Sequence, residues 1–210
     1  MKSSKTELVF ILDRSGSMSG LESDTIGGFN SMLKKQKAEE GEAVVTTILF
    51  DDRYELLHDR KNLQEINPIT EDEYFVRGTT ALLDALGNTI NKITNVQKHT
   101  TYSKVLFVII TDGLENASKE YTKAKVKNMV ENKIKKSNWE FIFLGANIDA
   151  IATARDYGIS SKNAVNYHAD SLGTKVCYSA VSNVVSNLRA KKKINIDWKK
   201  DVEHDYSSRK

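Results

Sequence analysis

Residues 8–17 read Leu8-Val9-Phe10-Ile11-Leu12-Asp13-Arg14-Ser15-Gly16-Ser17. Five bulky apolar residues in a row, ended by turn chemistry, describe a strand buried on both faces, as in a parallel sheet covered by helices. The strand delivers a loop with a carboxylate and two hydroxyls at alternate positions, Asp13, Ser15 and Ser17. Gly16 between the hydroxyls lets the backbone bend, so three oxygens can meet at one point. Convergent hard oxygens suit Mg²⁺ or Mn²⁺. The same residues also suit a strand end, a turn and a helix cap. The loop alone leaves both readings open, and the cation reading needs further oxygen donors elsewhere.

Working outward, Ala43 to Phe50, Val105 to Ile110 and Phe141 to Leu144 read as further buried strands, and Ala164 to Tyr167 as a weak edge strand. Helical stripes lie between them. They are Ile26, Phe29, Met32 and Leu33 within 21–40, then Leu82, Leu83, Leu86, Ile90 and Ile93, then Val126, Met129, Val130 and Ile134. Residues 149–157 form a short helix ended by Gly158, and Leu172, Val176, Ala180, Val184 and Leu188 mark a long last helix. Gly27-Gly28 weakens the first of these. Asp51-Asp52-Arg53 is a turn so short that the next strand, Tyr54 to His58, must return antiparallel along an edge. Hairpin chemistry accounts for the paired acids there without a metal. Residues 63–74, with the single proline Pro68, read as a connector over the surface.

The expected fold is α/β: a Rossmann-like, doubly wound, mostly parallel six-stranded sheet with one antiparallel edge strand and helices on both faces. It is expected over residues 1–190, with a loosely held basic and polar tail over 191–210. At 210 residues the chain fits one domain, and 40% hydrophobic with 28% charged residues describes a globular protein and argues against disorder. A formal net charge of +3 is too small to imply a nucleic-acid partner. Lys191-Lys192-Lys193 does not change that, because Asp197, Asp201, Glu203 and Asp205 dilute it. The single cysteine, Cys177, cannot form an internal disulfide and is expected as a small apolar residue on a helix. No apolar stretch is long enough to cross a bilayer, and Met1 to Lys5 runs into the first strand without a secretory core, so a cytoplasmic location is expected.

In such sheets ligands bind beyond the C-terminal ends of the strands, where the strand order reverses. The first strand and the one ending at Thr111-Asp112-Gly113 are the most apolar and therefore the natural central neighbours. Asp13 and Asp112 then face one crevice, and Thr79-Thr80, at the start of a helix, can close over it.

These three segments, Asp13-x-Ser15-x-Ser17, Gly78-Thr79-Thr80 and Thr111-Asp112-Gly113, resemble the metal-ion-dependent adhesion site of the von Willebrand factor type A domain. The resemblance covers roughly residues 5–190, with the order of elements agreeing. It implies an ion held by Asp13, Ser15, Ser17, one threonine and Asp112. Thr80 is the threonine that fits the family spacing, two residues after Gly78 and six before Leu86, which leaves Thr79 as the middle of the loop. Arg77 departs from the glycine of many relatives, and either points to solvent or favours an acidic partner.

Two aspartates neutralise a divalent ion, and neutral hydroxyls leave it electrophilic, with a position for an arriving carboxylate. The resemblance implies that use: a non-enzymatic module capturing an Asp or Glu of another protein, with Arg77, Thr79 and Glu115 as candidate partner contacts. Two other readings stand beside it. One is a magnesium-dependent hydrolase of phosphatase type using the same pocket, and the other a scaffold whose oxygens only cap helices. Hydrolysis asks for a positioned base. The four histidines, His58, His99, His168 and His204, fall outside the three segments, and Glu115 and Asn116 are as well suited to capping.

Overall fold

A computed structural model describes residues 5–98 and 104–209; His99 lies outside them. Six strands form one sheet in the order β3-β2-β1-β4-β5-β6. These are β1 (Thr6–Asp13), β2 (Ala43–Phe50), β3 (Tyr54–Asn62), β4 (Lys104–Thr111), β5 (Glu140–Gly145) and β6 (Ala164–Asn166). All neighbours run parallel except β2 and β3, the hairpin closed by residues 51–53. The chain builds outward from β1 to β3 and then crosses back to β4 on the other side of β1, so the order reverses between β1 and β4. Leu12 pairs with Ile110, which makes Asp13 and Asp112 leave the sheet at nearly the same level.

Alternation along the strands builds two cores. Leu8, Phe10 and Leu12 of β1 face one layer with α1 (Glu22–Lys37), α5 (Ser171–Arg189) and α6 (Lys200–Ser208). Val9 and Ile11 face the other, with α2 (Leu82–Gln97), α3 (Lys123–Ser137) and α4 (Ala150–Asp156). The α/β fold expected from the sequence is the one observed. Gly28 serves close packing: a Cβ there would stand 2.3 Å from the Tyr178 ring of α5.

Three local expectations need correction. Ile134 and Leu172 were placed inward, yet they are 37% and 50% exposed. Steps of four residues advance a helix by about 40° beyond a full turn, so a long i, i+4 series rotates off the buried face. On α5 that face runs instead through Cys177, Tyr178, Val181, Val184 and Val185. The connector 63–74 is a strap as much as a surface path, since Leu63, Ile66, Ile69 and Tyr74 are buried. Finally, within the tail expected over 191–210 the described residues 191–209 are not loosely held: Trp198 and Val202 join the core, and Lys199 Nζ donates to the carbonyls of Ser161 and Ala164. Apolar residues four apart, Trp198 and Val202, fold this stretch back as α6 despite its charge. Among the described residues no helix is long and apolar enough to cross a membrane.

Candidate metal centre

Asp13 is the last residue of β1 and is buried. Its Oδ1 accepts from the Ser15 backbone N–H at 2.7 Å, and its Oδ2 from the Thr111 hydroxyl. These bonds fold the loop back over the strand end. Two backbone bonds then lay residues 77–80 along the loop, Arg77 N–H to Arg14 O at 2.9 Å and Gly16 N–H to Gly78 O at 3.1 Å. Gly78, at φ +65°, makes that turn. Asn116 fastens the third segment: its side chain accepts from Thr80 N–H at 2.9 Å and its own N–H donates to Thr80 O.

The result is a cluster of hydroxyls. Thr80 Oγ1 donates to Ser15 Oγ at 2.9 Å, and Ser15 Oγ lies 3.0 Å from Ser17 Oγ. A Cβ placed on Gly113 would stand 2.7 Å from Ser17 Oγ, 2.8 Å from Thr80 Oγ1 and 3.6 Å from Ser15 Oγ. Glycine therefore keeps open a cradle that any other side chain would begin to fill. Asp112, the preceding residue, is buried with no hydrogen-bond partner on either carboxylate oxygen. Burial raises its pKa, with Ser17 and Asn147 opposing. Asp13 is pushed up to about 6, again by burial, against its bonds to Ser15 and Thr111. Among the described residues no ion pair joins either carboxylate to an arginine or lysine.

Buried carboxylates without partners are rare and ask for an unseen counter-charge. The donors at hand are carboxylate and hydroxyl oxygens, which fit a small hard cation. Among the described residues no three His, Cys, Asp or Glu side chains gather into a metal cluster, so any such site depends on the hydroxyls.

The structure brings Asp13, Ser15, Ser17, Thr80 and Asp112 to one place, and Thr80 rather than Thr79 points in: Thr80 is buried and Thr79 exposed. Arg77 is neither free in solvent nor at the cradle, because its Nε pairs with Asp51 at 2.6 Å. Glu115 turns inward, one oxygen accepting from Leu83 N–H and Ser118 Oγ and the other from the N–H groups of Ala117 and Ser118. It thereby caps the start of α2.

Sequence reasoning missed Arg14, the largest fully buried side chain. Its Nε pairs with Asp51 at 3.0 Å and its Nη2 with Glu55 at 2.5 Å. Asp51 does close the hairpin turn, accepting from Arg53 N–H at 2.7 Å, but it also holds both arginines. The only hint was an arginine inside a loop of otherwise small residues.

No family model matches this chain, and no curated protein matches it. Solved structures do. The vWF domain of the type V pili tip protein Mfa5 from Porphyromonas gingivalis superposes with a TM-score of 0.64 at 10% identity, over 93% of this chain and 99% of that one. Proximal thread matrix protein 1 from the mussel byssus, with a zinc-occupied MIDAS motif, gives 0.62 at 14% identity, over 88% of this chain. This chain spans about half of that protein's length, 46%. The manganese-loaded TRAP protein of Plasmodium vivax gives 0.59 at 18% identity, over 82% of this chain and 72% of that one. At such identities the likeness is one of architecture, and it agrees with the strand order and the crevice: the chain has the fold of the von Willebrand factor type A domains.

Proposed function

We propose that this chain is a divalent-cation-dependent protein-binding module that captures an Asp or Glu carboxylate of a partner protein, with Mg²⁺ or Mn²⁺ as the ion. The observation that carries the reading is the Gly113 cradle: three hydroxyls around one small space beside a buried, unpartnered Asp112. Asp13, Ser15, Ser17, Thr80 and Asp112 are the residues that would hold the ion. A bound ion supplies an electrophilic position for an incoming carboxylate. The chain's own part is preorganisation. Thr111 and the Ser15 N–H fix Asp13, Asn116 fixes Thr80, and the absence of a Cβ at Gly113 keeps the space clear.

Two solved structures of this fold, the mussel protein with its zinc-occupied MIDAS motif and the manganese-loaded TRAP protein, support a divalent metal as this module's ion. Binding is favoured over hydrolysis because Glu115, the acid of the third segment, has both oxygens engaged, while His58 meets Thr47 and His168 meets Tyr206. No general base is thereby left at the cradle by any of these three residues. Thr79 and Arg77 remain the candidate partner contacts at the rim, and a cytoplasmic location belongs to the proposal, tested by cell fractionation.

Calorimetric titration with MnCl₂ tests the first half: wild type binds, while Asp112→Ala and Gly113→Ala do not although their circular dichroism is unchanged. Capture of partner that continues undiminished in EDTA would overturn the second half.

A further inference from the structure

Among the described residues five large apolar side chains are well exposed, and two of them, Phe75 at 41% and Leu114 at 65%, sit on the loops that build the cradle. Single exposed apolar residues are ordinary. These two differ in lying beside the cradle, next to residues that are themselves fixed.

The Phe75 ring lies over two guanidiniums, Arg14 at 5.1 Å and Arg77 at 5.3 Å from its centroid. Both cations are fixed by Asp51. Cation–π contacts orient the ring and leave it 41% exposed. Leu114 stands between Gly113, which lines the cradle, and Glu115, whose carboxylate is tied down by Leu83, Ala117 and Ser118. A ring already oriented by its neighbours loses little freedom on binding, which is how a few apolar residues come to dominate an interface.

Their placement is two-sided. The acids under Phe75 belong to the turn after β2 and to β3, whereas Leu114 follows β4 on the opposite side of β1. The charge between them also selects. A cation in the cradle and the part-exposed Arg77 favour an acidic side chain over a basic one.

We propose that Phe75 and Leu114 read the residues bracketing the partner's acid, so that the partner presents an Asp or Glu flanked by apolar side chains. This inference rests on the cation-dependent reading above and adds the partner's chemistry to it.

The test is selection of a displayed random-peptide library on the full chain, in MnCl₂ and in EDTA. Peptides retained in manganese alone should carry an acid with an apolar residue within about two positions on each side. The affinity of the leading peptide should fall about tenfold in Phe75→Ser and again in Leu114→Ser, with Mn²⁺ titration of both variants unchanged. Leu114 touches none of the arginine cluster, so its variant stays informative if Phe75→Ser perturbs the fold. Acid-bearing, manganese-dependent peptides without apolar neighbours, or affinities indifferent to both variants, would overturn this inference and leave the cation-dependent module standing. Failure to retain any peptide in manganese over EDTA would overturn both.

Discussion

Replacing Asp51 with asparagine keeps the size of the side chain and the turn bond to Arg53 N–H but removes the charge between two arginines. Arg14 has no exposed side-chain area, so its guanidinium cannot turn to water. Breaking a buried ion pair from one side costs about 3–5 kcal/mol, because the other charge is left uncompensated. Here Glu55 still meets Arg14 at 2.5 Å, and Arg77 is a third exposed and can hydrate. We therefore expect the low end, about 3 kcal/mol. In a domain of this length that lowers the thermal midpoint by about 6–12 °C. Urea unfolding followed by the fluorescence of Trp139 and Trp198, both buried, reads it directly.

The pH dependence sharpens the test. Burial raises the Asp51 pKa, but the hydrogen bond from Arg77, the Arg53 N–H and the charges of Arg14 and Arg77 outweigh it and hold the carboxyl below its usual range. A folded-state pKa below the unfolded one gives stability that is fully present above the unfolded value, about 4, and lost as pH falls through the folded value. The gap between wild type and Asp51→Asn should stay constant from about pH 7 to pH 5 and narrow below about pH 4. A gap under about 1 kcal/mol at neutral pH, or one that persists undiminished at pH 3, would refute the assignment of Asp51 as the counter-charge of a buried arginine.

Adjacent glycines of α1 should respond in opposite directions. Gly27→Ala meets nothing within 4 Å and should stabilise by about 0.5–1 kcal/mol, whereas Gly28→Ala drives a methyl into the Tyr178 ring and should destabilise by about 1–2 kcal/mol in urea unfolding. Calorimetric melting in MnCl₂ at about a hundred times the dissociation constant should gain about 2.7 kcal/mol over EDTA in wild type. Asp112→Asn should lose that gain yet melt above wild type in EDTA, since it removes an unpartnered buried charge. Trp198→Ala should cost about 3 kcal/mol by the same unfolding assay, because the residue closes a core and its Nε1 donates to Lys162 O at 3.0 Å.

The strands were legible because burial on both faces writes itself as unbroken apolar runs, and Ala43–Phe50 is recovered to the residue. The cradle was legible for a related reason. Strand ends in this fold deliver loops to a predictable edge, and Asp, Ser and Thr at alternate positions are visible in such loops. Arg14 was not legible: its partners lie 37 and 41 residues away, and nothing in local spacing sets a charge pair across two strands. The fold-back of α6 escaped for another reason. Charge composition dominates the reading of 191–210, while the packing turns on a few residues, chiefly Trp198 and Val202. Ile134 and Leu172 show the limit of a four-residue period, which drifts off a helix face over three or four turns.

Asp13, Asp51 and Asp112 all stand on the same edge of the sheet, and the chain treats them differently. Asp51 is matched by two guanidiniums, one of them from Arg14, the immediate neighbour of Asp13. Arg14 does not turn toward Asp13, although no charge would be closer along the chain. Its side chain passes instead under the Phe75 ring to the turn after β2. Asp13 receives only neutral donors, and Asp112 has the Ser17 and Asn147 side chains nearby but no hydrogen bond of good geometry. Had stability alone set the arrangement, the available arginines would be expected beside the acids that burial penalises most. Their diversion to Asp51 stiffens the rim and leaves two acids at the cradle without a side-chain counter-charge, which is the arrangement the proposed cation site calls for. A substitution that delivers a guanidinium or ammonium into the cradle, such as Gly113→Lys, should therefore do two things at once if the chain still folds. It should remove manganese binding, and its melting midpoint should be the same in EDTA as in MnCl₂, because the counter-charge is then built in.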